Sequence, residues 1–204
     1  YKQMISDKTI YNKYLPDNYK YYVFIEFMGG DFENDYDTFE KAIMNAVDHQ
    51  LVEDAVVGKD EKEQLNIWGI REDVAVLAEE KKFDQQFDIS IPVAQIGEVI
   101  DKTILELKNC QGVETIFPFG HVADGNIHFI IGKDSDNDEL KSKINEIIYT
   151  NTELVHGSIS AEHGIGLDKK KYLIKSRSKD EIELMKLIKK AIDPKNILNP
   201  GRVF

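Results

Sequence analysis

The 204-residue sequence predicts an α+β fold: an antiparallel, ferredoxin-like sheet with helices on one face, followed by a C-terminal helical tail. Three observations carry this expectation. Short runs rich in β-branched and aromatic residues alternate with helical stripes. Their order is strand–helix–strand, a helical insertion, then strand–helix–strand–strand–helix–strand. Hairpins accompany the β-α-β units, as in antiparallel α+β sandwiches. No stretch rich in Pro, Gly or Ser divides the chain, so a single domain over residues 1–204 is expected.

Each element has its own reason. Residues 1–19 are polar and rich in Tyr and Lys, and read as a helix and a loop closing at Pro16. Residues 21–28 are dense in aromatic and β-branched types and stop at Gly29 and Gly30, so they read as a buried strand. A helix over 35–49, a strand over 51–57 and an inserted helix over 60–70 follow. Residues 88–91 form a short strand halted by Pro92. Between 93 and 109, Ile96, Val99, Ile100, Ile104 and Leu107 share one helical face. Residues 113–119 and 126–131 are hairpin strands. The acidic run 134–139 superficially resembles a calcium loop. It lacks the required glycine and twelfth-position glutamate, and reads as a helix start with acids near its positive end. That helix, 138–155, stripes Leu140, Ile144, Ile147, Ile148 and Val155 and stops at Gly157. Residues 158–161 are a last strand. The final helix opens on the capping box Ser178-x-x-Glu181 and ends before Asp193-Pro194.

Composition narrows the function. Hydrophobic residues are 42% and charged residues 31%, ordinary for a globular protein. The net charge of −11 argues against nonspecific nucleic-acid binding, which needs clustered cations. The single cysteine, Cys110, cannot form an internal disulfide, which points to a reducing compartment. No apolar run approaches ~20 residues, so no transmembrane helix is expected, and no signal peptide is expected either. The chain starts at Tyr1 rather than Met and reads as a piece of a longer polypeptide.

The chemistry concentrates in two segments. Gly120-His-Val-Ala-Asp-Gly-Asn-Ile-His128 and Ser160-Ala-Glu-His-Gly-Ile-Gly166 hold three of the five histidines. Asp124-Gly125 is a strong two-residue turn signal, since a type I′ turn needs positive φ at both central positions. A reversal there pairs His121 with His128, Val122 with Ile127 and Phe119 with Ile130. Opposed residues hold their Cβ atoms about 4.5–5.5 Å apart on one face, so the two imidazoles can share a metal ion. Glu162 and His163 are adjacent and would point to opposite sides of an extended backbone. Glu162 then completes a His2Glu set with an open position, the arrangement of catalytic sites, and His163 is free as a general base. Arg71, ending a helix beside Glu72, can bind a carboxylate through two parallel bonds or make a surface salt bridge. The lysine runs at 169–171 and 186–190 read as solvated faces. Cys110 reads as inert. No dinucleotide fingerprint or P-loop is present.

These two segments, followed by Asp193-Pro-x-x-Ile-Leu-Asn-Pro-Gly201, resemble the C-terminal domain of FAD-linked oxidases: the D-lactate dehydrogenase, glycolate oxidase and D-2-hydroxyglutarate dehydrogenase group of the vanillyl-alcohol-oxidase superfamily. Trp68-x-x-Arg71-Glu72 and Asp88-x-Ser-x-Pro92 also look like that family's text, and the resemblance runs from about residue 20 onward. It implies a substrate or cap domain that works with an N-terminal flavin domain. It implies FAD as cofactor, zinc or manganese on His121, His128 and Glu162, His163 as the base, Arg71 on the substrate carboxylate, and a tail around Asn199 that returns toward the flavin. Ala75, Gln86 and Ile130 stand where the 2-hydroxyglutarate enzymes carry polar or cationic contacts. That favours a smaller acid such as lactate or glycolate. The electron acceptor is unspecified and homo-oligomerisation is left open. A cytoplasmic place is expected, with attachment to the inner membrane through other parts of the protein left open. Two rival readings remain at this point: a stand-alone metal- or ligand-binding module without catalysis, and a zinc hydrolase.

Overall fold

The computed structural model describes residues 1–6, 9–79 and 82–204, and of 32, 33, 78 and 79 the backbone alone. These residues fall into two compact units, Tyr1–Leu77 and Ala78–Phe204, and each is taken by itself.

The first unit is built on capped helices. The Asp31 carboxylate accepts from the Asn34 N–H at the start of α1 (Phe32–Asp48), and Asp60 accepts from Glu63 at the start of α2 (Glu61–Glu72). Both satisfy donors that a helix start leaves orphaned. A short α3 (Ala75–Glu79) follows. Tyr1 stacks on Tyr22 with ring centroids 4.1 Å apart, and Phe24 meets Trp68 edge-on at 4.5 Å. The Trp68 indole donates to Glu26 at 2.9 Å.

Helices α1 and α2 fall where the sequence places them and α3 was not expected, while three expectations fail in this unit. The described part of residues 1–19 forms turns rather than a helix. Residues 21–28 and 51–57 form no strand, and Val23, Ile25, Met28 and Leu51 stay exposed. β-propensity records a fit to a pleated, half-buried surface rather than an intrinsic backbone preference. Among the described residues no partner supplies a ladder to either segment.

The second unit holds the sheet: β1 (Phe83–Ser90), β2 (Val113–His121) and β3 (Asn126–Lys133), ordered β1-β3-β2 and antiparallel throughout. The strand expected at 88–91 therefore starts earlier, at Phe83. Side chains alternate across the pleat. One face carries Phe87, Ile89, Ile127, Phe129 and Ile131 into the core. Val99, Ile100 and Leu107 of α4 (Ile96–Lys108) and Leu140, Ile144 and Ile148 of α5 (Asp138–Leu154) fill the same core. The expected α+β architecture is thus present. Asn137 caps α5 through the amides of Glu139 and Leu140, so the acidic run is a helix start. Ser178 and Glu181 form the expected capping box of α6 (Lys179–Ile192). The strand expected at 158–161 shrinks to one bridge, Ser90 to Ser158.

The hairpin differs in register. Phe119 pairs with His128, Gly120 with Ile127 and His121 with Asn126. The connection is a 3-10 turn over Val122–Asp124 closed by Gly125, and Gly125 alone takes a positive φ, 74°. A single left-handed glycine after a helical turn makes a longer loop than the two-residue turn expected. The Asp124 carboxylate accepts from the Asn126 N–H at 3.1 Å and stabilises it. Gly125 is required here, because a Cβ on it would lie 2.1 Å from the Ile91 carbonyl oxygen. Relative to the expected pairing, the ladder is displaced by two residues. A one-residue slip would have turned every side chain to the other face. An even displacement keeps His121 and His128 on the same face, as diagonal rather than opposed neighbours.

Candidate metal and proton-transfer site

The face of the sheet opposite the helices carries the polar residues. Asp88 on β1 opposes His128 on β3, which opposes Phe119 on β2. The His128 ring stacks on Phe119 with centroids 5.3 Å apart, which fixes its plane. Burial pushes the His128 pKa below the usual imidazole value, and the nearby carboxylates of Asp88 and Glu162 do not reverse this. His128 is accordingly a neutral imidazole at neutral pH, the form that donates a lone pair to a metal.

The segment after the Ser158 bridge brings the remaining groups. It is not extended, so Glu162 and His163 do not point apart as an extended chain would require. The amides of Ala161, Glu162 and His163 all turn inward onto Asp88, at 3.1, 3.1 and 2.9 Å from Oδ2. This curl lets both side chains reach one place. Glu162 Oε1 lies 3.3 Å from His128 Nε2 and 3.4 Å from His163 Nε2, and the two imidazole rings are 5.5 Å apart. His128 is mostly buried, while Glu162 and His163 are about half exposed and open to a ligand. One ligand atom each from Asp88, His128, Glu162 and His163 lies within 4.8 Å of the others.

The donor chemistry fits a divalent ion. Two atoms each about 2.1 Å from a tetrahedral centre sit roughly 3.4 Å apart, close to the separations around Glu162 Oε1. Imidazole and carboxylate together suit zinc or manganese. Asp88 differs from the other three. It is fully buried, with Oδ2 taken up by amides, the Ser160 hydroxyl and the Lys169 ammonium, and Oδ1 sharing the Glu162 amide.

The other sequence-derived residues lie as follows. His121 ends β2 outside this four-group cluster, exposed, but on the same face as His128. Arg71 is in the last turn of α2, 4.0 Å from Glu72. Asn199 takes a left-handed φ of 46° in the tail, and its carbonyl accepts from the Arg202 N–H at 3.3 Å. Cys110 is buried against the Glu106 carbonyl. Sequence reasoning missed two residues. Asp88 is an acid set between Phe87 and Ile89 in a core strand, a placement that demands partners and that could have flagged it. Lys169 was expected on a solvated face, yet its side chain is largely buried against Asp88. Nothing local separates it from its neighbours Lys170 and Lys171.

The family described as FAD linked oxidases, C-terminal domain, matches residues 2–203. A mitochondrial D-2-hydroxyglutarate dehydrogenase of Arabidopsis thaliana is 34% identical over 185 residues, 90% of this chain and 32% of that protein. A D-2-hydroxyglutarate dehydrogenase of Stutzerimonas stutzeri is 34% identical over 172 residues, 82% of this chain and 36% of that protein. A Schizosaccharomyces pombe protein, provisionally named a mitochondrial D-lactate dehydrogenase, is 28% identical over 210 residues, 96% of this chain and 40% of that protein. The chain thus spans about a third of the length of these relatives. Among the described residues, no helix is long and apolar enough to cross a membrane.

Proposed function

The chain belongs to the family of FAD-linked oxidase C-terminal domains, and from that premise we propose that it is the substrate side of a flavin-dependent dehydrogenase that oxidises a small D-2-hydroxy acid, of lactate or glycolate type, to the 2-oxo acid. The observation that carries this reading is the convergence of Glu162 and His163, from a turn outside the sheet, on His128, which the sheet supports. A rigid support of this kind is what a reacting geometry needs.

The proposed roles follow from residue chemistry. His121, His128 and Glu162 hold a divalent ion of the zinc or manganese class. When bound, the ion supplies positive charge beside a deprotonated substrate hydroxyl, and the flavin supplies the hydride acceptor. His163 takes the hydroxyl proton on its imidazole, a transfer suited to neutral pH. Arg71 binds the substrate carboxylate with its planar fork. Asn199 belongs to the tail that approaches the flavin, which an N-terminal domain holds.

The smaller substrate is favoured by the cross-strand pair Gln86 and Ile130, together with Ala75. None of the three offers the cation that a second carboxylate calls for. The relatives carry both D-2-hydroxyglutarate and D-lactate names, so kcat/KM for the two acids decides this point. A higher value for D-2-hydroxyglutarate overturns the small-acid assignment. The lone, buried Cys110 supports a reducing compartment such as the cytoplasm.

The direct test is His163→Ala in the flavin-loaded holoenzyme. Loss of a positioned base costs about 10²–10⁴ in rate. An unchanged kcat would remove His163 from the chemistry.

A further inference from the structure

Asp88 takes no part in the ligand and proton chemistry proposed above, yet it is the most deeply buried acid among the described residues. A carboxylate withdrawn from water is costly unless hydrogen bonds and countercharge replace the hydration it loses. Here the replacement is nearly complete. Oδ2 accepts from the amides of Ala161, Glu162 and His163, from the Ser160 hydroxyl at 3.1 Å and from the Lys169 ammonium at 3.3 Å. Oδ1 shares the Glu162 amide at 3.2 Å. Consecutive amides aimed at one anion form a nest, and the anion in this nest is the protein's own side chain.

We infer that Asp88, Lys169 and Ser160 form a positioning unit that holds the Glu162–His163 turn against His128, and that Asp88 is not itself a metal ligand. This rests on the reading of His128, Glu162 and His163 as the working cluster. Three observations support it. First, Asp88 is the direct sheet partner of His128, so one register places both the ligand and the anchor of the turn. Second, each carboxylate oxygen offers about two lone-pair sites, and on Oδ2 the amides of Ala161, Glu162 and His163 and the Lys169 ammonium already fill them, while Oδ1 shares the Glu162 amide. Third, the turn has little other support. Residues 161–164 belong to no helix or strand, and the amides of 161–163 are satisfied by Asp88 alone.

Lys169 and Ser160 close the unit. The Lys169 ammonium donates to Ser160 Oγ at 3.0 Å and to the Asp88 carbonyl at 3.3 Å. The Ser160 hydroxyl has one proton. It therefore donates either to Asp88 or to the Gly164 carbonyl, which lies 2.9 Å away. The second choice ties off the far side of the turn. Removing either charged member leaves the other buried without its countercharge.

The test uses Asp88→Asn in the holoenzyme, with Lys169→Met and its control Lys169→Arg as second variants should Asp88→Asn fail to fold. Amide hydrogen exchange over 160–164 and the affinity for Zn²⁺, measured by chelator competition, are read together. The visible spectrum of the Co²⁺-substituted protein at saturation is the third readout. Exchange at 161–163 is expected to quicken about tenfold or more, since charge-assisted hydrogen bonds are lost. Metal affinity is expected to fall about 10–100-fold, as for partners that orient a ligand. The saturated Co²⁺ bands should keep their positions, because the ligands are unchanged. Lys169→Arg should recover most of what Lys169→Met loses. Unchanged exchange at 161–163 overturns the proposal, and so does a shift of the saturated Co²⁺ bands, which would make Asp88 a ligand. If wild type binds no metal, or Glu162→Gln binds as wild type does, the cluster reading has failed instead, and the exchange measurement still decides the role of Asp88.

Discussion

Asp88 and Asp193 use one device at two places: a buried carboxylate that gathers backbone amides and a lysine, and so shapes a segment without secondary structure. At Asp193 the amides are those of Ile197 and Leu198, at 3.0 and 2.9 Å, and the cation is Lys189. The hydrogen bond from Lys189 outweighs burial, and with the two amides it draws the Asp193 pKa down from 3.8 to about 2. The sign follows. A carboxyl with a lower pKa in the folded state contributes stability above its unfolded pKa and loses it as pH falls through the folded value. Acid should therefore release the turn at 197–198, and with it the tail bearing Asn199, between 3.8 and about 2. An NMR titration of the Asp193 carboxyl should show its midpoint near the lower figure, and a midpoint near 4 would refute the assignment. Both aspartates were visible as motif text. The role of Asp88 was not, because the amides that bind it lie 73 to 75 positions away in sequence.

The elements divide by how local their causes are. Helices α1, α2, α4, α5 and α6 were legible from stripes and caps, since a helix satisfies its own backbone within four residues. The capping box at Ser178 is the clearest case. Ser178→Ala should cost ~1 kcal/mol, read as a lower urea midpoint with an unchanged m-value. Strands β2 and β3 were legible as apolar runs, but their register was not. The Asp-Gly signal permits more than one loop length, and the choice fell to Asp124 and to the close approach of Gly125 to Ile91. On the central strand of the sheet, Phe129 is fully buried in the core that α4 and α5 also fill. Phe129→Ala should cost about 3–5 kcal/mol, and a much smaller loss would mean that the second unit is not packed as described.

At the scale of the whole molecule, the two compact units differ in how much they enclose. The core of the second unit is continuous from the sheet through α4 and α5, whereas the β-rich segments of the first lie largely exposed. A divalent ion that binds only the folded cluster must stabilise the protein by mass action, by about 2.7 kcal/mol at a hundred times Kd. Thermal midpoints should therefore rise with added Zn²⁺ or Mn²⁺, fall after chelation, and stop responding in Glu162→Gln. A wild-type midpoint indifferent to both ions would count against the metal reading.

The sequence by itself determined the inventory: the α+β class, helices α1, α2, α4, α5 and α6 with the capping box at Ser178, the two segments that hold the reactive groups, and the family to which the chain belongs. Tertiary structure alone decided how those groups meet. It displaced the hairpin ladder by two residues while keeping both histidines on one face. It left residues 21–28 and 51–57 without a ladder. It curled residues 160–163 around Asp88, and it took Lys169 out of a run of similar lysines to neutralise that charge. The physical reason is range. Caps and helical periodicity act over a few residues and are written in them, whereas the partner of a buried charge is chosen by whichever distant segment the fold brings within a hydrogen bond.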